Sequence, residues 1–329
     1  MNLLQVILNG LSLLIDGYKQ KLFIARWLKP IVVKHCIDLN YELNGSEKKK
    51  ILYYYPMYTV LACAQMYTSL KGRGLSKEET KRLSLVAAMA TICDDLIDEE
   101  QFNRDAIFNL LSTNNSNSLN NKKAKLLIRL NNELKEIWNL SDGYTAQLKI
   151  ALEWQSKSSK QLDQNIQLEE IIEICRRKNG YTSLLFASLI DEEWTEKELK
   201  FIYQSAIVGQ LTNDSFDMYF DTQNDINTHF NKAEKIADTR AFFLVECQLL
   251  HKMVRASEAK EKYQKNTINR MSILHAFTLT ALDQFQKTAY QYGPSFKWKN
   301  IPRKDMVIDM AKNSNRFKTV RYMAYLSRL

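Results

Sequence analysis

Glycine and proline are scarce in this chain: nine and four in 329 residues, where average usage of ~7% and ~5% would give roughly 23 and 16. The residues that punctuate turns are therefore missing throughout, which argues against a many-stranded β fold and excludes collagen-like and Pro/Gly-rich disordered classes. Cysteine is sparse as well. Its five copies, at positions 36, 63, 93, 175 and 247, show no C-x-x-C and none of the paired spacing of a secreted disulfide scaffold, so reduced, buried thiols in a cytoplasmic protein are expected. The four histidines form no ligand spacing, and there is no Gly-rich phosphate loop and no nucleophile motif. Acyl transfer and hydride transfer have no support. Long apolar runs are lacking too, since no stretch approaches the ~18 uncharged apolar residues of a membrane span.

What is present is an ordinary globular balance, 45% hydrophobic and 25% charged, with 46 basic against 37 acidic residues and a net charge of +9. Such an excess points to nucleic acid, anionic lipid or a polyanionic ligand. Much of it is local: Lys297, Lys299, Arg303, Lys304, Lys312, Arg316, Lys318, Arg321 and Arg328 are offset only by Asp305 and Asp309. No segment interleaves aromatic with basic residues as single-strand binders do, so nucleic acid is not the expected partner. The segment from Met1 to Ile15 is uncharged and apolar, but no Lys or Arg precedes it and Asn9, Gly10 and Ser12 interrupt it. It reads as a helix packed on the core or lying at a membrane surface, not as a signal peptide.

Helical periodicity dominates. Ser76 with Glu79, and Thr195 with Glu198, match the capping box, in which a hydroxyl accepts from the third amide and the glutamate reaches back. Helices are expected to begin near residues 77 and 196. The first runs through Leu83, Leu85, Val86 and Ile92, the second through Phe201, Ile202, Ile207, Val208 and Leu211, each apolar nearly all round as in a buried bundle helix. Polar or turn-rich breaks are expected at 112–123, 222–231 and 291–303. Apolar helical pattern on both sides of each break predicts one all-α domain spanning residues 1–329.

Both apolar helices end in acid. Asp94, Asp95 and Asp98 close the first. Positions four apart on a helix are offset by only about 40° and rise about 6 Å, so Asp94 and Asp98 share a face. The second ends in Asn213, Asp214, Asp217 and Asp221, in which positions 213, 217 and 221 line one face within about 80°. Either cluster alone reads equally as a solvated helix end. Two together, built from oxygen ligands, suit Mg²⁺, which keeps several waters and is completed by substrate phosphates.

These two motifs resemble the metal-binding motifs of class I isoprenoid synthases, the Asp-Asp-x-x-Asp of Asp94 to Asp98 and the Asn/Asp-Asp-x-x-Ser/Thr-x-x-x-Glu of terpene synthases. Asp217 stands in the Ser/Thr place and Asp221 in the Glu place. Arg176, Asn179 and Gly180 resemble the family's Arg-x-x-Asp-Gly stretch, in which the Arg senses diphosphate and a helix break at the Gly turns a carbonyl toward the substrate. Arg321 and Tyr322 match its diphosphate-contacting Arg-Tyr pair. The resemblance spans roughly residues 50 to 325 and implies a single helical bundle around a central cavity. It also implies Mg²⁺, three ions per site, held by Asp94, Asp98, Asn213, Asp217 and Asp221. Diphosphate would be met by Arg176, Lys178, Arg321 and Tyr322, with Arg176, Asn179 and Gly180 acting in catalysis.

The implied activity is that of a terpene synthase, which ionises a prenyl diphosphate and cyclises or rearranges the cation under the shelter of aromatic faces; Tyr54, Tyr58, Phe186, Phe216 and Tyr322 are the candidates. Met89 and Ala90, one turn before Asp94, leave room for a substrate of C15 or longer. The sister trans-prenyltransferases remain an alternative: Gly209 and Gln210 before the second motif, and Lys178, Asn179 and Gly180, are similar to their patterns. Yet no paired Arg and Gly follow Asp98, and Gly45 to Lys50 is only a degenerate isopentenyl diphosphate segment. A non-catalytic helical anion-binding protein is the third reading. Peripheral membrane contact and a homodimer are both compatible with the chain.

Overall fold

The computed structural model describes residues 3–113, 120–293 and 296–329. Among them the chain is helical, without strands. In chain order the helices are α1 (3–38), α2 (45–70), α3 (Lys77–Asp98), α4 (Arg104–Thr113), α5 (Lys122–Ile137), α6 (Asp142–Lys157), α7 (Leu168–Ala187), α8 (Glu196–Gln223), α9 (His229–Lys232), α10 (Ile236–Arg255), α11 (Glu261–Tyr292), α12 (Arg303–Met306) and α13 (Asn313–Leu326). Two of these are not uniform: α1 widens to a π-helix at Ile24–Leu28, and α2 does so twice, at Lys50–Tyr54 and Thr59–Ala64. Short 3₁₀ turns occur at Ser158–Leu162 and Trp298–Asn300.

The two capping boxes start their helices where the sequence places them. Ser76 Oγ accepts from the Glu79 amide at 3.1 Å while Glu79 accepts from the Ser76 amide, and Thr195 and Glu198 do the same. At the other end of α11, Gly293 sits at φ +80°, a conformation that costs a side chain but not glycine. The predicted breaks are narrower than expected. Ser112 and Thr113 close α4, Lys122 and Lys123 open α5, and residues 114–119 lie outside the described ones, as does Pro294. Between 222 and 231 only 224–228 is non-helical.

The chain divides into two compact units, where the sequence pattern predicts one domain. The first comprises Leu11–Lys157 and Tyr181–Glu193. Here α3 is the central helix, packed on α5 and α2, with Leu83, Leu85, Ala87, Ala88, Ile92 and Leu96 fully buried. Its first turn is fastened by charge: Arg73 grips Glu79 through both terminal nitrogens, at 3.0 and 2.8 Å, and Arg82, itself buried, pairs with Asp191. The second unit comprises Met1–Gly10, Ser158–Gly180 and Trp194–Leu329. Its axis is α11, which packs on α8, α10 and α13 around Phe230, Phe243, Leu279, Leu282 and Phe285. All five cysteines are free thiols, and only Cys63 is not fully buried.

Candidate metal centre

In the second unit, the C-terminal half of α8 carries the second acidic motif. Asn213 Nδ2 donates to Asp217 Oδ2 at 2.9 Å, and Gln210 Nε2 donates to Asp214 Oδ1 at 2.6 Å. The other oxygen of Asp214 is buried and has no hydrogen-bond partner. Asp221 is buried too, and burial followed by the charges of Asp214 and Asp217 pushes its carboxyl up to about 8. Burial likewise raises Asp214 to about 7, with the Gln210 bond opposing and the Asp217 charge adding. Asp217 is raised by burial against the bond from Asn213. No Lys or Arg lies within ion-pair distance of these three carboxylates among the described residues. Three acids thus share one helix face, each held above its ordinary range, so that the charged form of each is disfavoured in the absence of a counter-charge.

Asp214 belongs to this set, and the reading of the motif at positions 213, 217 and 221 passes over it. Helix arithmetic contains the signal: positions seven apart are offset by only about 20° and positions eight apart by about 80°, so Asp214 lies closer to the face of Asp221 than Asn213 does.

From α7, Lys178 is near enough to pull Asp214 down in part, and its Nζ donates to Ser158 Oγ at 3.4 Å. Cys175 faces the same acids: burial first, then Asp214, raises its thiol. Asn179 Nδ2 caps back onto the Cys175 carbonyl at 2.9 Å. Arg176 is elsewhere. Its guanidinium donates to Gln204 Oε1 at 3.2 Å and to the buried Glu246 at 2.9 Å, and Gln204 in turn bonds Glu246. Gln204 lies nine residues before Asn213, ~13 Å along α8, so Arg176 stands apart from the carboxylates. The helix break expected at Gly180 is absent, for α7 runs unbroken from Leu168 to Ala187. Gly180 is needed for a different reason: a Cβ there would penetrate the ring of Tyr203.

Arg321 and Tyr322 have different surroundings. Tyr322 donates its hydroxyl to Asp283 Oδ1 at 2.8 Å, beside Arg240, which also donates to that oxygen at 2.8 Å. Lys318 lies 3.4 Å from the other Asp283 oxygen. Adjacent helix residues diverge by about 100°, and Arg321 is exposed, lining a shallow surface cavity of about 530 Å³ with Ala324, Tyr325, Arg328 and Leu329. Arg240 and Asp283 carry no local sequence signal. Of the aromatic candidates, Phe186 is buried, whereas Tyr54, Tyr58 and Phe216 are exposed.

The first motif lies in the first unit. There Asp95, skipped by the Asp94 and Asp98 spacing, is the buried member. Lys50 Nζ reaches its Oδ1 at 3.0 Å, and Lys123 Nζ lies 3.9 Å from its Oδ2. Lys123 also serves Glu47 at 3.2 Å, Glu100 at 3.3 Å and Glu99 at 3.4 Å. Burial alone would raise Glu47, but the Tyr41 hydroxyl, the Asn44 amide and Lys123 together hold it below the usual carboxylate range. Asp94 is half-buried and Asp98 exposed.

Among the described residues no three His, Cys, Asp or Glu side chains converge into a ready-made cage. Mg²⁺ does not require one: it keeps waters and binds through one or two carboxylates together with substrate phosphate. The donor set on α8, all oxygen, with one buried carboxylate oxygen left unpartnered, fits an ion of that kind. Set against known proteins, the chain matches no family model, no curated protein and no solved structure.

Proposed function

We propose that this protein is a Mg²⁺-dependent terpene synthase that ionises a prenyl diphosphate of C15 or longer, cyclises or rearranges the carbocation and releases diphosphate. The observation that carries the reading is the triad Asp214, Asp217 and Asp221 on α8, the first and last buried and Asp217 half-buried, with no ion-pair partner among the described residues and one oxygen of Asp214 unpartnered. Burying like charges is costly unless a cation relieves them, and the motif that holds them is the one whose sequence resembles the terpene-synthase metal motif. Asn213, Asp214, Asp217 and Asp221 would hold Mg²⁺ on α8; Asp94 and Asp98 are the candidate ligands that the first unit carries on α3. When bound, Mg²⁺ supplies Lewis-acid stabilisation of the departing diphosphate oxygens.

The chain's own groups have distinct tasks. Lys178, already drawn electrostatically toward Asp214, is the cation placed to meet diphosphate. Arg176, fixed by Glu246 and Gln204, sets the position of α7 against α8 and so of Lys178, half a turn further on. Ionisation needs no general base. The side chains about the cation must exclude water, which would otherwise quench it.

The chain-elongating alternative has one observation in its favour: Gln210, within the Gly209–Gln210 pair, holds Asp214 directly. Incubating the protein with pooled C10 to C25 prenyl diphosphates, with and without isopentenyl diphosphate, separates the two. A hydrocarbon or alcohol formed without isopentenyl diphosphate is the expected result, and a product that appears only in its presence would establish the prenyltransferase. Asp94→Ala and Asn213→Ala should each abolish Mg²⁺-dependent diphosphate release with the helical circular dichroism unchanged. Turnover retained in both variants removes the metal assignment. A helical protein that merely binds anions would show no thermal shift specific to Mg²⁺ with diphosphate.

A further inference from the structure

Helix α1 does not bury its apolar stripe. Within the first unit, Leu11, Leu14, Ile15 and Tyr18 are 51, 71, 56 and 64% exposed, at a spacing of three, four and seven residues that puts them on one helix face. Beyond them Lys19, Lys21, Arg26, Lys29 and Lys34 are all exposed, alongside Ala25, Pro30 and Val33. Lys21 lies 5.9 Å over the ring of Tyr53. Lys19, Arg26, Lys29 and Lys34 make no ion pair among the described residues, and Asp16 is the one acid between residues 11 and 34. An exposed apolar row with exposed cations within reach along the same helix combines the two attractions that hold a helix in a membrane interface, apolar burial and charge attraction to anionic lipid.

We propose that α1 docks this protein onto an anionic phospholipid surface, with Leu11, Leu14, Ile15 and Tyr18 entering the headgroup and acyl boundary and the following lysines and Arg26 meeting lipid phosphates. No helix is long and apolar enough to cross a membrane among the described residues, so the helix lies on the surface and does not span it. A second copy of the chain fits the face less well. A second copy would bring five more cations to a face with one acid. The docking does not depend on the enzymatic reading, because it is measured without turnover.

The test is sedimentation of the full chain with phosphatidylcholine vesicles, with and without about one-third phosphatidylglycerol. The protein should pellet with the anionic vesicles and stay in solution with phosphatidylcholine alone, and added salt should release it. Lys19→Gln and Lys29→Gln should each weaken binding about fivefold. Leu14→Gln should weaken it about tenfold or more, with the circular dichroism of each variant unchanged because these side chains are exposed. Equal binding to both vesicle types, or none to either, overturns the proposal. So does a concentration-dependent dimer in light scattering that Leu14→Gln dissolves, since that assigns the face to a second copy.

Discussion

Two helices of this protein end in acid, and the chain treats the two ends in opposite ways. At the end of α3 the buried carboxylate, Asp95, is met by Lys50 and Lys123, and Lys123 is shared with Glu47, Glu99 and Glu100. At the end of α8 the buried carboxylates have no ion-pair partner among the described residues, and Asp214 and Asp221 are pushed up to about 7 and about 8. The first arrangement stabilises the fold through its own cations. The second leaves electrostatic tension in the folded state that protons or an added cation would relieve. Two acid-rich helix ends that look alike in sequence thus differ in kind: the buried acid of one, Asp95, is paired with the chain's own cations, and the buried acids of the other are not.

The sharpest way to break this contrast is Lys123→Met. Removing the shared cation leaves Glu47 and Asp95, both under a tenth exposed, short of a partner, and stripping one member from a buried pair costs about 3 kcal/mol or more. Urea unfolding should show the loss. A change of the opposite sign is expected from Asp214→Asn. A carboxyl whose folded value lies near 7, against ~3.9 unfolded, takes up a proton on folding, so its cost to stability grows as pH rises through that interval and is fully present above pH 7. The Asn variant should therefore be more stable than the wild type by about 2 kcal/mol at pH 8, with the gain fading toward pH 4. An Asn variant less stable at pH 8 would place Asp214 among the structural acids. Glu99→Gln is the smallest of the three: its side chain is 62% exposed, so its share of Lys123 is screened and the change should stay within about 0.5 kcal/mol.

Local chemistry was legible in the sequence and long-range pairing was not. Ser76 and Thr195 mark the helix starts to the residue because a capping box is closed within four positions. The face formed by Asp217 and Asp221 follows from helix geometry alone. By contrast, the partner of Asp95 at Lys50 is 45 residues away, and the partner of Tyr322 at Asp283 is 39 away; no periodicity encodes either. Gly180 shows how a correct singling-out can carry the wrong reason. A rare glycine amid helical pattern suggests a break, yet the requirement is room for Tyr203 on the next helix. Gly180→Ala should accordingly destabilise by about 1–3 kcal/mol through overpacking, which differential scanning calorimetry would detect as a lowered Tm. The exposed face of α1 was also out of reach, because an apolar helix looks the same in sequence whether it is covered or bare.

The widened turns of α2 mark where this chain can tolerate a change of length. A π turn accommodates one residue more than the α turn it replaces, so the stretches at Lys50–Tyr54 and Thr59–Ala64 behave as absorbed insertions. Pro56 between them has no amide to give, and its own carbonyl is taken by Gln20. Deleting a single residue within 59–64 would let the helix relax to α and leave Met66, Tyr67 and Leu70, all buried, facing the core, whereas the same deletion in a regular α stretch would rotate everything after it by about 100°. A helix of this make is phased by its irregularities, and its reading frame in space would survive a regularising deletion there but not one in its α turns.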